Sequence, residues 1–290
     1  MGLFNRYLKE GPGVEKDAPK KKGIFLFFEI YFRKFFKLLK AGLYYMFESL
    51  PFLIIGVLFF GPLISRCWGI EEAIAGIADN NSAMVMFVFI ACGLLNLFGS
   101  GPAAAGYAYV TRCFVRGEHT WVWSDGWDKI KENFKNAILL IVLDFVIIFA
   151  AVYGIYFYGA FAADAPAAIQ KFFGVSRGIV TVSFLLYTMM HIFLYQIMVT
   201  YECGFKNLLK NSFIMMMAKL PMCLLLTAVT SALFILLFVY FGKLGIFVYA
   251  ILGISLTRFP LEFYAARVIE KNIKRVEKRM QKSVDEGAEE

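Results

Sequence analysis

Six long apolar blocks, separated by clusters of charged residues, constrain what this chain can fold into. A helix needs about 20 consecutive apolar residues to cross the hydrocarbon core of a bilayer. The blocks cover residues 48–65, 83–104, 138–160, 179–201, 220–241 and 244–261, the last shortened by Arg258 and Glu262. Hydrophobic residues make up 60% of the chain and charged residues 18%, whereas soluble domains have about 45–50% and about 25%. The sequence therefore predicts an all-α, polytopic membrane helical bundle of about six transmembrane helices.

The distribution of positive charge predicts how these spans are oriented. Of the 30 Lys and Arg residues, 26 lie in the segments 1–47, 105–136, 202–219 and 258–290, and 4 lie in the segments between. Because Lys and Arg concentrate on the cytoplasmic side, we expect a plasma-membrane protein with both termini in the cytoplasm, N-in and C-in. Attraction to anionic inner-leaflet lipid explains the net charge of +8, so no nucleic-acid partner is expected.

Four segments are expected along the chain. They are a basic cytoplasmic tail (1–23), an amphipathic helix (24–47), a six-helix membrane domain (48–265) and a charged cytoplasmic tail helix (266–290). The last helix has one apolar stripe, formed by Ile269, Ile273, Val276 and Met280. Such a helix leaves the membrane and either lies on the lipid surface or pairs with a partner.

The helix predicted over residues 24–47 has two interpretations. Its charged residues recur at helical spacing and share one face, and they are Glu29, Arg33, Lys37 and Lys40. Aromatic and aliphatic residues cover most of the remaining surface, so the segment either lies on the inner leaflet or forms the cytoplasmic foot of the first span. Pro51 is expected in the first turn of that span, where its missing N–H costs little.

A run of small residues around a proline closes the second predicted span. Gly99, Gly101 and Gly106 flank Pro102 and three alanines. Proline removes a helical hydrogen bond, and glycine lets neighbouring backbones approach closely. The segment is therefore a candidate for tight helix packing with a kink, or for a helix break that lines a cavity.

The loop after this run concentrates three of the four tryptophans in a segment expected in the cytoplasm. This candidate docking loop consists of Arg116, Trp121, Trp123, Asp125 and Trp127. Ser124 is a residue type that caps helices, so a helix is expected from there to Asn136. Tryptophan is enriched in the interfacial belt of membrane proteins, and the alternative is a docking surface for a cytoplasmic partner.

Few polar residues fall inside the predicted spans, and those that do form a candidate intramembrane cluster. They are Asn96, Asp144, His191 and Gln196. At a rise of about 1.5 Å per residue, the last three lie roughly 8 to 15 Å from the inner ends of their spans, so one cluster could hold them. An Asp–His pair in a membrane is either a proton relay or pH sensor, or a structural hydrogen bond between helices.

The sequence offers little support for catalysis. It contains no H-E-x-x-H motif and no phosphate-binding Gly-rich loop. The five cysteines, at positions 67, 92, 113, 203 and 223, lack metal-ligand spacing and are expected to pack as small apolar residues. We therefore expect no enzyme activity, no catalytic residues, no metal and no cofactor.

Two blocks of the sequence carry a family resemblance. The first contains Gly101-Pro102-Ala103, Arg116-Gly117-Glu118, Trp123-Ser124-Asp125 and residues 131–136, and the second contains residues 205–212 and Leu220-Pro221. Together they resemble the YesL-like family of integral membrane proteins over most of residues 30–265, apart from an extra stretch at about 66–95. Genes of that family often accompany carbohydrate ABC transporters. The resemblance implies a membrane role beside sugar uptake and transfers no catalytic residues.

These features lead to two expectations for function. The first is a non-catalytic accessory or regulatory component associated with carbohydrate uptake or envelope function, with an ABC transporter or another membrane protein as its partner. The second is a small transporter or permease subunit that uses the Gly-Pro break and the intramembrane pair Asp144 and His191. The sequence does not indicate an oligomeric state.

Overall fold

The computed structural model describes residues 23–67, 101–163, 165–241 and 248–288, and every regular element in these ranges is helical. In chain order they are α1 (Ile24–Arg33), α2 (Phe35–Cys67), α3 (Pro102–Arg116), α4 (Val122–Ala163), α5 (Ala167–Met198), α6 (Phe205–Ala218), α7 (Leu220–Phe241), the π-helical turn Tyr249–Gly253 and α8 (Ile254–Ala288). The predicted all-α class is confirmed for these ranges. Asn96, Gly99 and most of the predicted span 83–104 lie outside the described residues.

Two of these helices are long and apolar enough to cross a membrane. They contain the segments Val122–Gly159 and Ile169–Met198, and Phe205–Ala218 with Leu220–Leu233 forms a third candidate that is bent by 90°. The outward surface carries exposed apolar side chains every three or four residues: Val142, Val146, Phe149 and Tyr153 on α4, and Phe172, Val175, Ile179 and Val182 on α5. Such a surface fits contact with lipid and indicates a membrane protein. The six spans and their orientation stay predictions.

α3 lies at the centre of the described helices. Twelve of its 15 residues are buried, and α2, α4, α5 and α8 all pack against it. Its first turns are a run of alanine and glycine, residues 103–106, whose small side chains let the neighbouring backbones approach closely. α3 is therefore the helix around which the others are arranged.

A turn interrupts the segment 24–47, which the sequence predicts as one helix. The chain turns at Lys34, so the segment 24–47 is divided between α1 and α2. The Lys34 ammonium group donates to the Phe114 carbonyl oxygen at 3.5 Å and lies 4.7 Å from the centre of the Phe114 ring. These contacts anchor the turn on α3. Burial lowers the pKa of Lys34, because the ammonium group is partly removed from water.

Pro51 lies inside α2, so the prediction that it occupies the first turn of its helix is wrong. α2 runs from Phe35 to Cys67, so the helix is already formed when the chain reaches the proline. A proline in a helix interior costs about 3 kcal/mol or more. Packing of the preceding turns opposes this cost, since Leu38, Ala41 and Tyr45 are buried.

α4 unites the loop helix and the third predicted span in one continuous helix. It begins at Val122, so the prediction that Ser124 caps the helix is wrong. Asp125 does this instead, because its Oδ2 accepts hydrogen bonds from the Trp121 amide at 2.9 Å and from the Thr120 hydroxyl at 2.9 Å. A carboxylate that reaches back to the start of a helix satisfies an amide that the helix leaves unpaired.

α8 continues from the region of the sixth predicted span into the tail helix. The π-helical turn leads into α8, which runs from Ile254 to Ala288 with Pro260 inside it. Along the apolar stripe of the tail, Ile269 is buried whereas Val276 and Met280 are exposed. The apolar stripe is thus buried at its N-terminal end and exposed towards its C-terminal end.

Candidate functional site

A carboxylate and an imidazole meet in the interior between α4 and α5. Nε2 of His191 lies 3.0 Å from Oδ1 of Asp144, and the two side chains are 2% and 1% exposed. The hydroxyl of Tyr187, one turn before His191 on α5, donates to the same Oδ1 at 2.5 Å. The structure thus brings together two members of the predicted polar cluster and adds a tyrosine to them.

Several polar atoms of this pair have no hydrogen-bond partner among the described residues. They are Oδ2 of Asp144 and both ring nitrogens of His191. Nε2 is among them because its short approach to Oδ1 lacks the alignment of a hydrogen bond. A buried polar atom without a partner costs about 1–3 kcal/mol, and native proteins usually satisfy it with another group or an ordered water. The pair therefore has unused hydrogen-bonding capacity that could accept water or a proton.

Gln196 belongs to a second polar group. Its side-chain nitrogen lies 2.9 Å from the Ala108 carbonyl oxygen, 3.3 Å from the Thr111 hydroxyl oxygen and 2.7 Å from Oε2 of Glu262. These contacts tie α5 to α3 and α8. Five positions along a helix correspond to a rotation of about 140°, so Gln196 points away from the direction that His191 takes.

Glu262 and Arg258 place two ionisable groups in the interior, and neither was predicted as a site residue from the sequence. Nε of Arg258 lies 3.7 Å from Oε1 of Glu262, and the side chains are 11% and 4% exposed. The guanidinium also lies 4.7 Å from the ring centre of Tyr45 and 5.8 Å from that of Tyr195. The available signal was a pair of opposite charges four residues apart at the end of an apolar block.

A small cavity joins the two polar groups. Its volume is about 30 Å³, and His191, Arg258 and Glu262 line it together with hydroxyl-bearing side chains, which are Tyr45, Thr230, Tyr249 and Thr257. That volume has room for about two water molecules. The cavity as it stands is large enough for water and protons and too small for a sugar.

The Gly-Pro segment makes contacts between helices. Pro102 is the first residue of α3, where its lack of an amide hydrogen leaves no helical bond unmade. Gly101 has a φ of +105°, which favours glycine, and its amide donates to the Tyr195 hydroxyl oxygen at 2.5 Å. Neither residue lines the cavity. In the described part of the chain, this segment serves helix packing.

Gly106 and Gly126 let the ring of Tyr44 enter between α3 and α4. A Cβ atom added to Gly106 would lie 2.8 Å from the Tyr44 hydroxyl oxygen and 2.9 Å from the Gly126 carbonyl oxygen. A Cβ added to Gly126 would lie 3.0 Å from Cζ of Tyr44. The same ring meets Trp123 edge to face at 5.2 Å. The start of α4 is thereby held against the buried centre.

The tryptophans of the candidate docking loop lie on the surface. Trp121, Trp123 and Trp127 are 70%, 53% and 44% exposed. The two charged members of the loop have different roles: Asp125 caps α4, whereas Arg116 lies 3.7 Å from Glu118 in an ion pair. The exposed tryptophans therefore project from a backbone segment that hydrogen bonds and ring packing fix in place.

A serine with the spacing of a hydrolase nucleophile lies in α5. Gly174, Ser176 and Gly178 match G-x-S-x-G, in which the serine normally stands on a sharp turn between a strand and a helix. Ser176 instead lies inside a helix, and its hydroxyl donates to the Phe172 carbonyl oxygen at 3.0 Å. The match therefore lacks the backbone context of a nucleophile. Within the described residues, no three His, Cys, Asp or Glu side chains are grouped to hold a metal ion.

One protein-family model matches part of the chain. The family is described as "Protein of unknown function, DUF624", and the match covers residues 82–155. Gly101, Pro102, the candidate docking loop and Asp144 lie inside the match, whereas His191 and Glu262 lie outside it. Comparisons with curated proteins and with solved structures give no significant match.

Proposed function

We propose that this chain is a non-catalytic accessory membrane protein, and that a protein partner docks on the exposed tryptophans at the start of α4. The observation that carries the proposal is the exposure of Trp121, Trp123 and Trp127 on a backbone held by Asp125 and Tyr44. Tryptophan is enriched among the few residues that dominate binding energy at protein interfaces. Rigid presentation of such side chains reduces the entropy lost on binding.

The charges around the tryptophans favour a protein partner over a lipid surface. Residues 116–132 include three Lys or Arg and four Asp or Glu. Some of them form ion pairs with each other, as Lys131 does with Asp128 at 3.5 Å. Segments that bind anionic membranes are rich in cations, whereas protein interfaces combine aromatic residues with a polar rim of both signs.

Contact with anionic inner-leaflet lipid is assigned to α1 and the start of α2 instead. Exposed phenylalanines follow one side of this segment: Phe25, Phe28, Phe32 and Phe36. Phe27 packs the other side on α8, with ring centres 5.5 Å from Phe259 and 5.3 Å from Phe263. Residues 29–40 include four Lys or Arg and one Glu, which suits an anionic surface. The two interpretations of this segment are thus compatible.

The resemblance to YesL-like proteins supports an accessory role. YesL-like proteins belong to the family whose model matches residues 82–155. Because their genes often accompany carbohydrate ABC transporters, we propose a component of a sugar-uptake or envelope system, such as an ABC transporter, as the partner.

Photo-crosslinking in cells tests the docking proposal. A photoreactive amino acid replaces Trp123 in one variant and Phe172, on the exposed apolar surface of α5, in the control. We expect one protein adduct from position 123, identified as a membrane transport or envelope component, and lipid adducts alone from position 172. The purified partner should then bind Trp121→Ala or Trp127→Ala about 30-fold more weakly, since a dominant interface residue contributes roughly 2 kcal/mol or more. Equal adducts at both positions, or unchanged affinity, would contradict docking here.

A second candidate function is a small transporter or permease subunit. The observation that favours it is a cavity with room for water that His191, Arg258 and Glu262 line, with Asp144 buried against His191. Ionisable groups inside membrane helices often belong to ion or proton paths. The combined change of Asp144→Asn and His191→Leu separates the candidates. An intact cellular phenotype in this variant, with loss of phenotype in the tryptophan variants, opposes transport, and the reverse result opposes docking.

A further inference from the structure

Four buried ionisable groups lie at or beside the cavity between α5 and α8: His191, Arg258 and Glu262 line it, and Asp144 contacts His191. Asp144 and Glu262 are carboxylates, Arg258 is a guanidinium and His191 is an imidazole. With both carboxyl groups ionised and the imidazole neutral, the set would carry one net negative charge. Each side chain is at least nine-tenths buried except Arg258, at 11% exposed, so water outside the protein screens the charges weakly.

The groups that face this set from the surrounding helices are neutral within the described residues. Phenols come from Tyr45 on α2, Tyr107 on α3, Tyr187 and Tyr195 on α5, and Tyr249 in the π-helical turn. Threonine hydroxyls come from Thr230 on α7 and Thr257 on α8.

One nearby cation of α3 has partners elsewhere. Arg112 donates to the Val199 carbonyl oxygen at 2.7 Å and to the Thr200 hydroxyl oxygen at 2.9 Å, at the end of α5. It does not line the cavity. Its charge is therefore held at the end of α5 and does not pair with Glu262, the carboxyl group that lines the cavity.

Unpartnered polar atoms of the set indicate which kind of ligand the site can bind. Oδ2 of Asp144 and both ring nitrogens of His191 have no hydrogen-bond partner among the described residues. The cavity has space for about two waters, which donate and accept equally well. A net negative charge in a weakly polar interior favours uptake of a positive charge, and a proton is the cation that fits beside a guanidinium.

We propose that this cavity is a proton-binding site that holds water and one exchangeable proton, shared by Asp144, His191 and Glu262. Uptake takes one proton from a water-borne hydronium ion, forms one O–H or N–H bond on these three groups, and leaves the set neutral. No electron is transferred. Because Glu262 bonds to Gln196 of α5 and pairs with Arg258, the proton also affects how α5 is tied to α8.

Infrared and NMR spectroscopy of the full chain in lipid nanodiscs test this site. At about pH 7, exposed carboxyl groups are ionised and an ordinary imidazole is mostly neutral. We expect wild type to show either the C=O band of a protonated carboxyl group or the ¹⁵N shifts of an imidazolium at His191. The chain has two histidines, so His191→Gln assigns the NMR signals. Transfer to D₂O should shift the band, because the cavity contains water.

Two variants decide whether the proton belongs to this charge set. Glu262→Gln removes one negative charge and keeps the shape of the side chain, so the signal should disappear. Glu270→Gln is the matched control, because Glu270 lies two turns along α8 in a surface ion pair with Lys274 at 2.9 Å, and the signal should remain. Absence of both signals in wild type overturns the proposal without any variant. Loss of the signal in Glu270→Gln, or its persistence in Glu262→Gln, also overturns it.

Discussion

The phenol of Tyr44 rests directly on Gly106, where a Cβ atom would lie 2.8 Å from the tyrosine hydroxyl oxygen. The same ring covers Gly126 of α4 and meets Trp123 edge to face. A single aromatic side chain of α2 thus connects the buried helix α3 with the surface of the candidate docking loop. The stability of this junction depends on two residues that have no side chain.

Gly106→Ala should destabilise the protein by about 1–3 kcal/mol, as overpacking of a filled interior does. The added methyl group meets a backbone oxygen of Gly126 at 2.9 Å as well as the tyrosine, and a backbone atom cannot move aside cheaply. Thermal unfolding in detergent measures the effect. Gly174→Ala is the control, since a Cβ there meets no atom within 4 Å and should leave the unfolding temperature unchanged or slightly raised. Equal shifts in the two variants would exclude the steric explanation.

Asp144→Asn and Tyr187→Phe should be coupled in a double-mutant cycle by about 0.5–3 kcal/mol, because both groups belong to one buried hydrogen bond. Once the carboxylate has gone, loss of the phenol removes little more. Unfolding free energies of the two single variants and the double variant give the coupling. Asp128→Asn combined with Tyr187→Phe is the control and should be additive, since Asp128 is 62% exposed. Additivity in the Asp144 cycle would show that the bond contributes nothing.

Arg112→Gln should cost about 1.5–3 kcal/mol of stability, the range for hydrogen bonds to a charged group. The guanidinium binds the Val199 carbonyl oxygen, one of the acceptors that a helix end leaves unpaired. Arg267→Gln is matched in chemistry but removes a partly exposed ion pair at 3.6 Å, and should cost about 0–1 kcal/mol. Chemical denaturation of both variants distinguishes the cases, and the same loss in both would deny Arg112 a capping role.

The predicted orientation is tested by single cysteines in a chain whose five native cysteines are replaced. Glu118→Cys, in the loop before α4, should react with a membrane-impermeant maleimide only after cells are opened. Gln170→Cys, near the start of α5, should react in intact cells, because it lies at the other end of the α4 and α5 spans. Both positions are exposed in the fold, so burial does not confuse the comparison. The opposite labelling pattern would invert the topology.

Properties that depend on neighbouring residues along the chain were predictable. The apolar block at 138–160 lies within α4, the block at 179–201 overlaps α5 up to its end at Met198, and the block at 220–241 has the bounds of α7. Boundaries that depend on packing were not. Phe114 anchors the turn at Lys34, and Thr120 and Asp125 anchor the start of α4. The helix starts predicted from Pro51 and Ser124 were therefore wrong.

The candidate site divides in the same way. Asp144 and His191 were identified because an ionisable residue inside an apolar block stands out in any sequence. Glu262 and Arg258 stood at the edge of a weak block, where a charge is ordinary, and nothing local linked them to Gln196. The exposure of the three tryptophans likewise could not be predicted from their spacing in the sequence.

The sequence by itself determined that the described segments are helical, that their helices suit a membrane, and that a few polar groups lie among them, because length, period and composition are properties of contiguous residues. The tertiary structure alone decided which groups meet. Gln196 forms a hydrogen bond with Glu262, which is 66 positions away along the chain. It does not join the pair of Asp144 and His191, although His191 is only five positions away. The physical reason is that helical rotation turns near neighbours apart, while packing around α3 brings distant residues to hydrogen-bond distance.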